Sequence, residues 1–486
     1  MGLGAIAAVV SRKGDNAVPS VLTMLRRLEH RGVDAHGVAT PSSTTVAKSI
    51  ERIEGRNLSS PVALGHNLSE ILPRDCPQPT LGPNFALVFE GRLFPHPETC
   101  EVDEVLKKLK REPQKNAQVV IGELEGSYVF AVACPEKLIV GRDMFGTKPL
   151  YHGENETAYA IASERKALWA LGMEKVKSFP PGKLAIFSSH GFIFLPIKTV
   201  VRPSLTSTNM DRAARHLQDL LMVSTERRVS DLKETAVAFS GGLDSSIIAV
   251  LVDICEKDTH LISVGLEGQQ ETRFAEAAAE KLGLPLHLQT FTTDDVERIL
   301  PKVLWLIEEP NVIKAGVAIP FYWTAEIASR LGYRVLLAGQ GSDELFGGYH
   351  RYLKEYAQFG VTAVQDAMYH DITSSYDMNF QRDNQVCSFH KVDLRLPFID
   401  NEIVQFALGL PVDLKIKSKE DPLRKRVLRQ VARNLELPQF IIDKAKKAIQ
   451  YTTGVDKTLR KLANKESLTL QEYVRRIFQK AYPQRP

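Results

Sequence analysis

The hydrophobic pattern changes character part-way along the chain. Up to about residue 200 the apolar positions come in short runs broken by Gly and Pro, as in Phe85–Phe89, Tyr128–Ala133, Leu138–Val140 and Leu184–Phe187. Runs of this kind predict strands. The opening ten residues are apolar, without a charged leader, and predict a buried strand rather than a signal peptide. Helical spacing intervenes at Val18–Glu29, through Val18, Val21, Leu22, Leu25 and Leu28, and again at Val102–Leu109. The expectation is an α+β domain of sheets stacked on one another.

Around Val201–Asn209 the chain turns polar (VRPSLTSTN), which reads as a linker and divides it into domains 1–200 and 201–486. Beyond it, helical and strand patterns alternate. A helix at Ala213–Val223 precedes a strand at Ala236–Phe239, and a helix starts at Ser245. Strands at Leu261–Val264, Leu286–Thr290 and Val335–Leu337 alternate with helices at Arg273–Leu282, Val296–Ile307 and Pro320–Leu331. Nearly all-apolar strands between helices predict a doubly wound α/β domain, a parallel sheet covered on both faces. From Ala357 onward the pattern is mostly helical.

Composition adds exclusions. The chain has 486 residues, 44% hydrophobic and 25% charged, and a net charge of +4, too mild to indicate a nucleic-acid partner. Basic residues thicken between Lys415 and Lys447; solvated helix surface is the expectation there, with a polyanion patch as the alternative. The five cysteines are odd in number, widely spaced and without a CxxC, which argues against a disulfide framework or a zinc site. No apolar stretch is long enough to span a bilayer, so no membrane partner and a cytoplasmic location are expected.

The candidate chemistry concentrates in AVAFSGGLDSS, Ala236–Ser246. A strand ends, two glycines follow and a helix begins. Gly241 and Gly242 let backbone N–H groups approach an anion, and the helix start adds donors and a positive dipole end. Ser240, Ser245 and Ser246 add hydroxyls, and Asp244 suits a Mg2+ bridging phosphates. A bare Gly-Gly would be an ordinary turn; the whole strand–SGGxDSS–helix sequence is a phosphate loop, and not the GxxxxGK[ST] form. It resembles the pyrophosphate loop of the ATP-pyrophosphatases. Three further segments resemble asparagine synthetases: LLAGQGSDELFGGY (Leu336–Tyr349), LRLPFID (Leu394–Asp400) and KAKKAIQYTTG (Lys444–Gly454). With the N-terminal domain, the resemblance covers nearly the whole chain.

That resemblance implies an adenine nucleotide alpha hydrolase-like fold and ATP-dependent activation of a carboxylate, aspartate or a related acid, for transfer to ammonia or an amine. It implies Asp343 as a second Mg2+ anchor facing Asp244, and adenosine contacts at Ala238, Val264, Ala338 and Gly339. It also implies a catalytic lysine at Lys446 or Lys447, with a homodimer as an open option. The chain departs from the family at Gln340, where Glu is usual, and at Asp393, where Glu precedes LRxPF. A glutamine holds substrate but cannot act as a base. The nucleophile and the acid can therefore differ from ammonia and aspartate.

HRGVDAHG (His30–Gly37), VGRDMFGTKPLYH (Val140–His152) and ASERKAL (Ala162–Leu168) resemble class II glutaminases, implying an Ntn-hydrolase-like fold. The residues that chemistry needs are missing. The nucleophilic Cys is Gly2, the arginine for the glutamine carboxylate falls near Leu68, the oxyanion Asn is Glu90, and the Asp for the glutamine amine is Thr99. A carboxylate cannot stabilise an oxyanion. No glutaminase activity is expected, as in β-lactam synthetases. The alternatives are a biosynthetic amide ligase or cyclase of that type, or a non-catalytic scaffold.

Overall fold

A computed structural model describes residues 3–110 and 112–482. Gly2 lies outside the described residues. The chain divides into two compact units. The first runs to Val200 and takes in Phe380–Asp393; the second comprises Val201–Asn379 and Leu394–Ala481.

The first unit follows from strands apolar on both faces. In Leu3–Ser11, Ala5, Ala7 and Val9 face one core, while Ile6, Ala8 and Val10 face another. Successive side chains of a strand point to opposite faces, so a run without alternation is buried twice. The first core is closed by the helix Val18–Arg27. The second lies between two antiparallel sheets, against Ala86, Val88, Val129 and Ala131. Phe85, Leu87 and Phe89, on the reverse face of the second sheet, pack with Val102, Val105 and Val120 of the helices Glu101–Leu109 and Pro113–Glu123. The layers are therefore helix, sheet, sheet, helix. The seven-stranded sheet has Leu3–Ser11 between Ala158–Ala162 and Val62–Ser69; the six-stranded sheet is centred on Gly126–Cys134 and Lys137–Arg142.

The second unit carries a sheet whose order is Leu286–Phe291, Asp258–Leu266, Glu234–Ala238, Val335–Leu337 and Asp393–Arg395, with the first four strands mutually parallel. The buried helix expected from Pro320 starts earlier, at Val312. Asn311 caps it by accepting from the N–H groups of Ile313 and Lys314, and Pro320 lies inside.

One segment departs from the linear division at residue 200. The helix Gln381–Phe389 is polar in sequence yet buried in the first unit. Gln381 accepts from Leu150 N–H at 3.4 Å and donates to Ser178 Oγ at 3.0 Å. Buried polar side chains persist where they are hydrogen-bonded. Among the described residues no helix is long and apolar enough to cross a membrane.

Candidate active site

The glycine-rich loop sits at the C-terminal edge of the parallel sheet, where open α/β sheets take ligands. Strand Glu234–Ala238 ends, and helix Leu243–Ile254 starts with Gly242 as its cap. Gly241 has φ of 66°, and a side chain on it would lie 3.0 Å from the Ala275 Cα; only glycine suits both demands. Ser245 Oγ lies 3.3 Å from Ser240 N and from Ser240 Oγ and donates to the Gly242 carbonyl, which sets the turn. Ser246 is buried, with its Oγ unpaired.

Asp244 and Asp343 share two cations. Lys425 Nζ lies 2.7 Å from Asp244 Oδ2 and 2.6 Å from Asp343 Oδ1, and donates to Ser342 Oγ at 2.9 Å. Lys446 Nζ lies 3.3 Å from Asp244 Oδ2 and 3.0 Å from Asp343 Oδ2. Burial alone would raise the Asp244 carboxyl, but the two ammonium groups outweigh it and hold its pKa below the usual range. Burial disfavours the Lys446 ammonium, and the two carboxylates more than compensate, raising its pKa.

The neighbouring glycines are shaped by this quartet. A side chain on Gly348 would fall 1.8 Å from Asp343 Oδ1 and 2.4 Å from Lys425 Cε, and one on Gly339 would come within 3.0 Å of Asp244 Cβ. Glu344 turns away from the quartet, accepting from Tyr349 Oη at 2.7 Å and Asn379 Nδ2 at 2.8 Å. Burial, then repulsion from Asp343, raises its pKa.

The other expected residues fall as follows. Ala238, Val264 and Ala338–Gly339 lie toward the C-terminal ends of three adjacent strands, and Gln340 follows in the same loop, partly exposed. Lys447 is exposed and faces Glu271 at 3.4 Å, so of the lysine pair only Lys446 reaches the carboxylates. Asp393 is not among the gathered groups. It opens the strand Asp393–Arg395 as the last residue of the first unit's segment, and Lys148 Nζ at 3.0 Å and Arg92 Nε at 3.5 Å hold it.

Lys425 had no sequence signal beyond the basic stretch 415–447, and the expectation of solvated surface fails over part of that stretch. Lys415, Arg424, Lys425 and Arg429 are buried. Arg424 and Lys425 both take left-handed backbone, φ 53° and 52°. Consecutive non-glycine residues there are uncommon, and such strain concentrates at functional sites.

In the first unit Glu90, expected at the oxyanion position, is enclosed by charged and polar partners. Glu90 lies 2.7 Å from Arg31 Nη2 and accepts from Ser163 Oγ at 2.9 Å. Arg31 also pairs with Glu164 at 3.2 Å, which His30 and Lys166 approach at 2.9 and 2.6 Å. Burial disfavours the Glu164 carboxylate, but His30, Lys166 and Arg31 hold its pKa below the usual range. Leu68 is buried in its strand, and Thr99 is exposed.

Comparison with known proteins agrees with this architecture. The family model described as Asparagine synthase matches residues 216–360 and 357–485, and that described as Glutamine amidotransferase domain matches residues 3–179. A Methanocaldococcus jannaschii protein provisionally named asparagine synthetase (glutamine-hydrolyzing) 1 is 30% identical over 95% of this chain and 95% of its own length. The chain belongs to the asparagine synthetase family. Among plant relatives, asparagine synthetase (glutamine-hydrolyzing) 1 of Lotus japonicus is 26% identical over 90% of this chain and 75% of its own length. The Brassica oleracea asparagine synthetase (glutamine-hydrolyzing) is 26% identical over 96% and 83%. The family uses ATP, and this member is an ATP-dependent carbon–nitrogen ligase.

Proposed function

We propose that the chain adenylates a carboxylate, aspartate or a close relative, and passes the acyl group to free ammonia or an amine, without hydrolysing glutamine. The observation that carries this is the quartet of Asp244, Asp343, Lys425 and Lys446 beside the Ser240–Ser246 loop. A substrate carboxylate oxygen attacks the α-phosphorus of ATP and pyrophosphate leaves. The nitrogen then attacks the acyl carbon and AMP leaves. The loop N–H groups and Lys425 take the pyrophosphate charge; Lys446 stabilises the charge that develops at the acyl centre. Ala238, Val264, Ala338 and Gly339 border the adenosine.

Among the described residues no three His, Cys, Asp or Glu side chains form a metal cage. Mg2+ binds through one or two carboxylates plus phosphates, so Asp244 and Asp343 fit it, and it would neutralise the departing pyrophosphate. Gln340 cannot accept a proton, so the proton shed by the attacking nitrogen passes to the departing AMP phosphate or to water, with Gln340 orienting substrate by hydrogen bonds. That residue also favours a second reading, an amide-forming cyclase or biosynthetic ligase whose amine belongs to the substrate.

The absence of glutaminase chemistry is supported by Glu90, whose carboxylate is committed to Arg31 and Ser163. The test is ATP–pyrophosphate exchange screened across carboxylates, with nucleotide products separated and glutamate assayed. Exchange with one acid, AMP as product and no glutamate released from glutamine are expected. ADP as the main product, or protein-dependent glutamate release, would overturn the corresponding part.

A further inference from the structure

The segment 443–454 forms a strap over the C-terminal edge of the parallel sheet. Lys444 Nζ sits 3.4 Å above the Phe274 ring, Lys447 faces Glu271, and the Thr453 carbonyl accepts from Leu266 N–H at 2.9 Å. Lys446 is the strap residue that reaches Asp244 and Asp343. What keeps it there is not the strap's own side chains alone. Two buried arginines, Arg424 and Arg429, spend their donors on main-chain carbonyls.

Arg424 Nε donates to the Gly348 carbonyl at 3.1 Å, and its Nη2 to the Lys446 carbonyl at 3.3 Å. Arg429 donates to the Lys444 carbonyl at 3.2 Å, to the Ile442 carbonyl, and back to the Arg424 carbonyl at 2.8 Å. Gly348 closes the turn that begins at Asp343, since Gly348 N–H donates to the Asp343 carbonyl at 2.8 Å. Arg424 is also covalently next to Lys425. One guanidinium thus ties together three members of the quartet. The left-handed backbone at both residues sends the Arg424 and Lys425 side chains to different partners, Asp421 fixing the turn by accepting from Leu423 and Arg424 N–H. A buried guanidinium that meets carbonyls rather than a carboxylate costs desolvation, and its planar fork gives geometric definition in return.

We propose that Arg424 and Arg429 are positioning residues: a carbonyl clamp that holds the strap closed so that Lys446 stays on Asp244 and Asp343. The proposal rests on the reading of the quartet as the adenylating site. The test is Arg424→Gln in the full chain, with three measurements. Limited trypsin digestion reads strap opening through cuts after Lys444, Lys446 and Lys447; steady-state exchange separates kcat from the KM for ATP; a thermal melt reads the fold.

Strap cleavage about fivefold faster, kcat down about tenfold (about 1.4 kcal/mol) and KM for ATP within about twofold are expected. Arg424→Lys, which can hold one carbonyl of the two, should fall in between. Cleavage at the wild-type rate would overturn the clamp, as would faster cutting throughout the chain. If Arg424→Gln does not fold, Arg429→Lys is read by the same cuts, because one ammonium cannot serve carbonyls spread over the strap. If the wild type turns over no carboxylate, the functional reading falls, while the digestion comparison still decides the clamp.

Discussion

Glu90 in the first unit and Asp244 in the second are both buried carboxylates held by cations, and they differ in what can replace the cation. Glu90 and Arg31 are fully enclosed, each with a further partner, Ser163 and Glu164. Asp244 is held by two lysines, and one of them, Lys446, keeps 31% of its side chain exposed, with Asp343 at 17%. Glycines surround the second site and set loop N–H groups beside it; a packed sheet surrounds the first. An ion pair closed on all sides serves the fold, and breaking it strands a charge. An ion pair open on one side can pass its cations to an incoming polyanion. The first pair is thus enclosed within its unit, while the second stays open on one side.

The sharpest attack on this contrast is at the open site. Asp244→Asn and Asp343→Asn should each reduce ATP–pyrophosphate exchange by about a thousandfold or more. Lys425 retains the remaining carboxylate and the half-open Lys446 can turn to solvent, so the loss of stability should be only about 1–2 kcal/mol. A circular-dichroism melt beside the exchange assay separates the two, and unfolding of both variants would make these carboxylates structural.

Next is the lysine pair. Lys446→Met should cost about a hundredfold in exchange or amide formation. Lys447→Met, at an exposed position, should stay within about twofold of wild type in the same assays.

At the closed site the ranking inverts. Glu90→Asn restores an amide where a glutaminase would place one, yet it leaves Arg31 buried with Glu164 alone. Stability should fall by about 3–5 kcal/mol in a denaturant melt, with no glutamate release gained. A stable, glutamine-hydrolysing variant would erase the distinction between the units.

A smaller effect tests whether buried cations near the open site are all functional. Lys415 is buried, meets Met368 Sδ at 3.9 Å, and burial lowers its pKa to about 7. The unfolded chain holds this proton up to about pH 10.4. The penalty for burying the amine is therefore full below pH 7 and fades as pH rises from about 7 to 10.4. Lys415→Met should flatten that rise in a pH series of melts and stabilise the protein by about 2 kcal/mol near pH 7.

Contiguous chemistry was legible in the sequence, and chemistry assembled over distance was not. The Ser240–Ser246 loop and the Asp343 turn each follow a strand within a few residues, so pattern and neighbourhood coincide. Lys446 and Lys447 could not be separated, because the choice depends on how the strap is rotated, and that is set by Arg424 and Arg429. Lys425 comes from 181 residues beyond Asp244 and sits in a basic run that reads as surface. The partners of Asp393 were hidden for a related reason: it stands beside LRLPFID, while Lys148 and Arg92 lie far earlier in the chain. The helix Gln381–Phe389 was equally hidden, since polar residues buried by hydrogen bonding look no different from polar residues in water. In the first unit, apolar runs such as Leu3–Ser11 marked the strands, and the structure adds that this strand is buried on both faces.

The quartet also bears on how nucleotide arrives. Its two carboxylates and two ammonium groups sum to zero, so the resting site supplies its own counterions. Binding then becomes a partner exchange, in which Lys425 trades carboxylate oxygens for phosphate oxygens, Lys446 turns to the acyl centre, and Asp244 and Asp343 would be left free to hold Mg2+. A site with no net charge of its own casts little long-range field. Long-range attraction of nucleotide is then left to the cations around the quartet, Arg424, Arg429, Lys444 and Lys447, and selection between triphosphate and smaller anions to the short-range geometry of the swap.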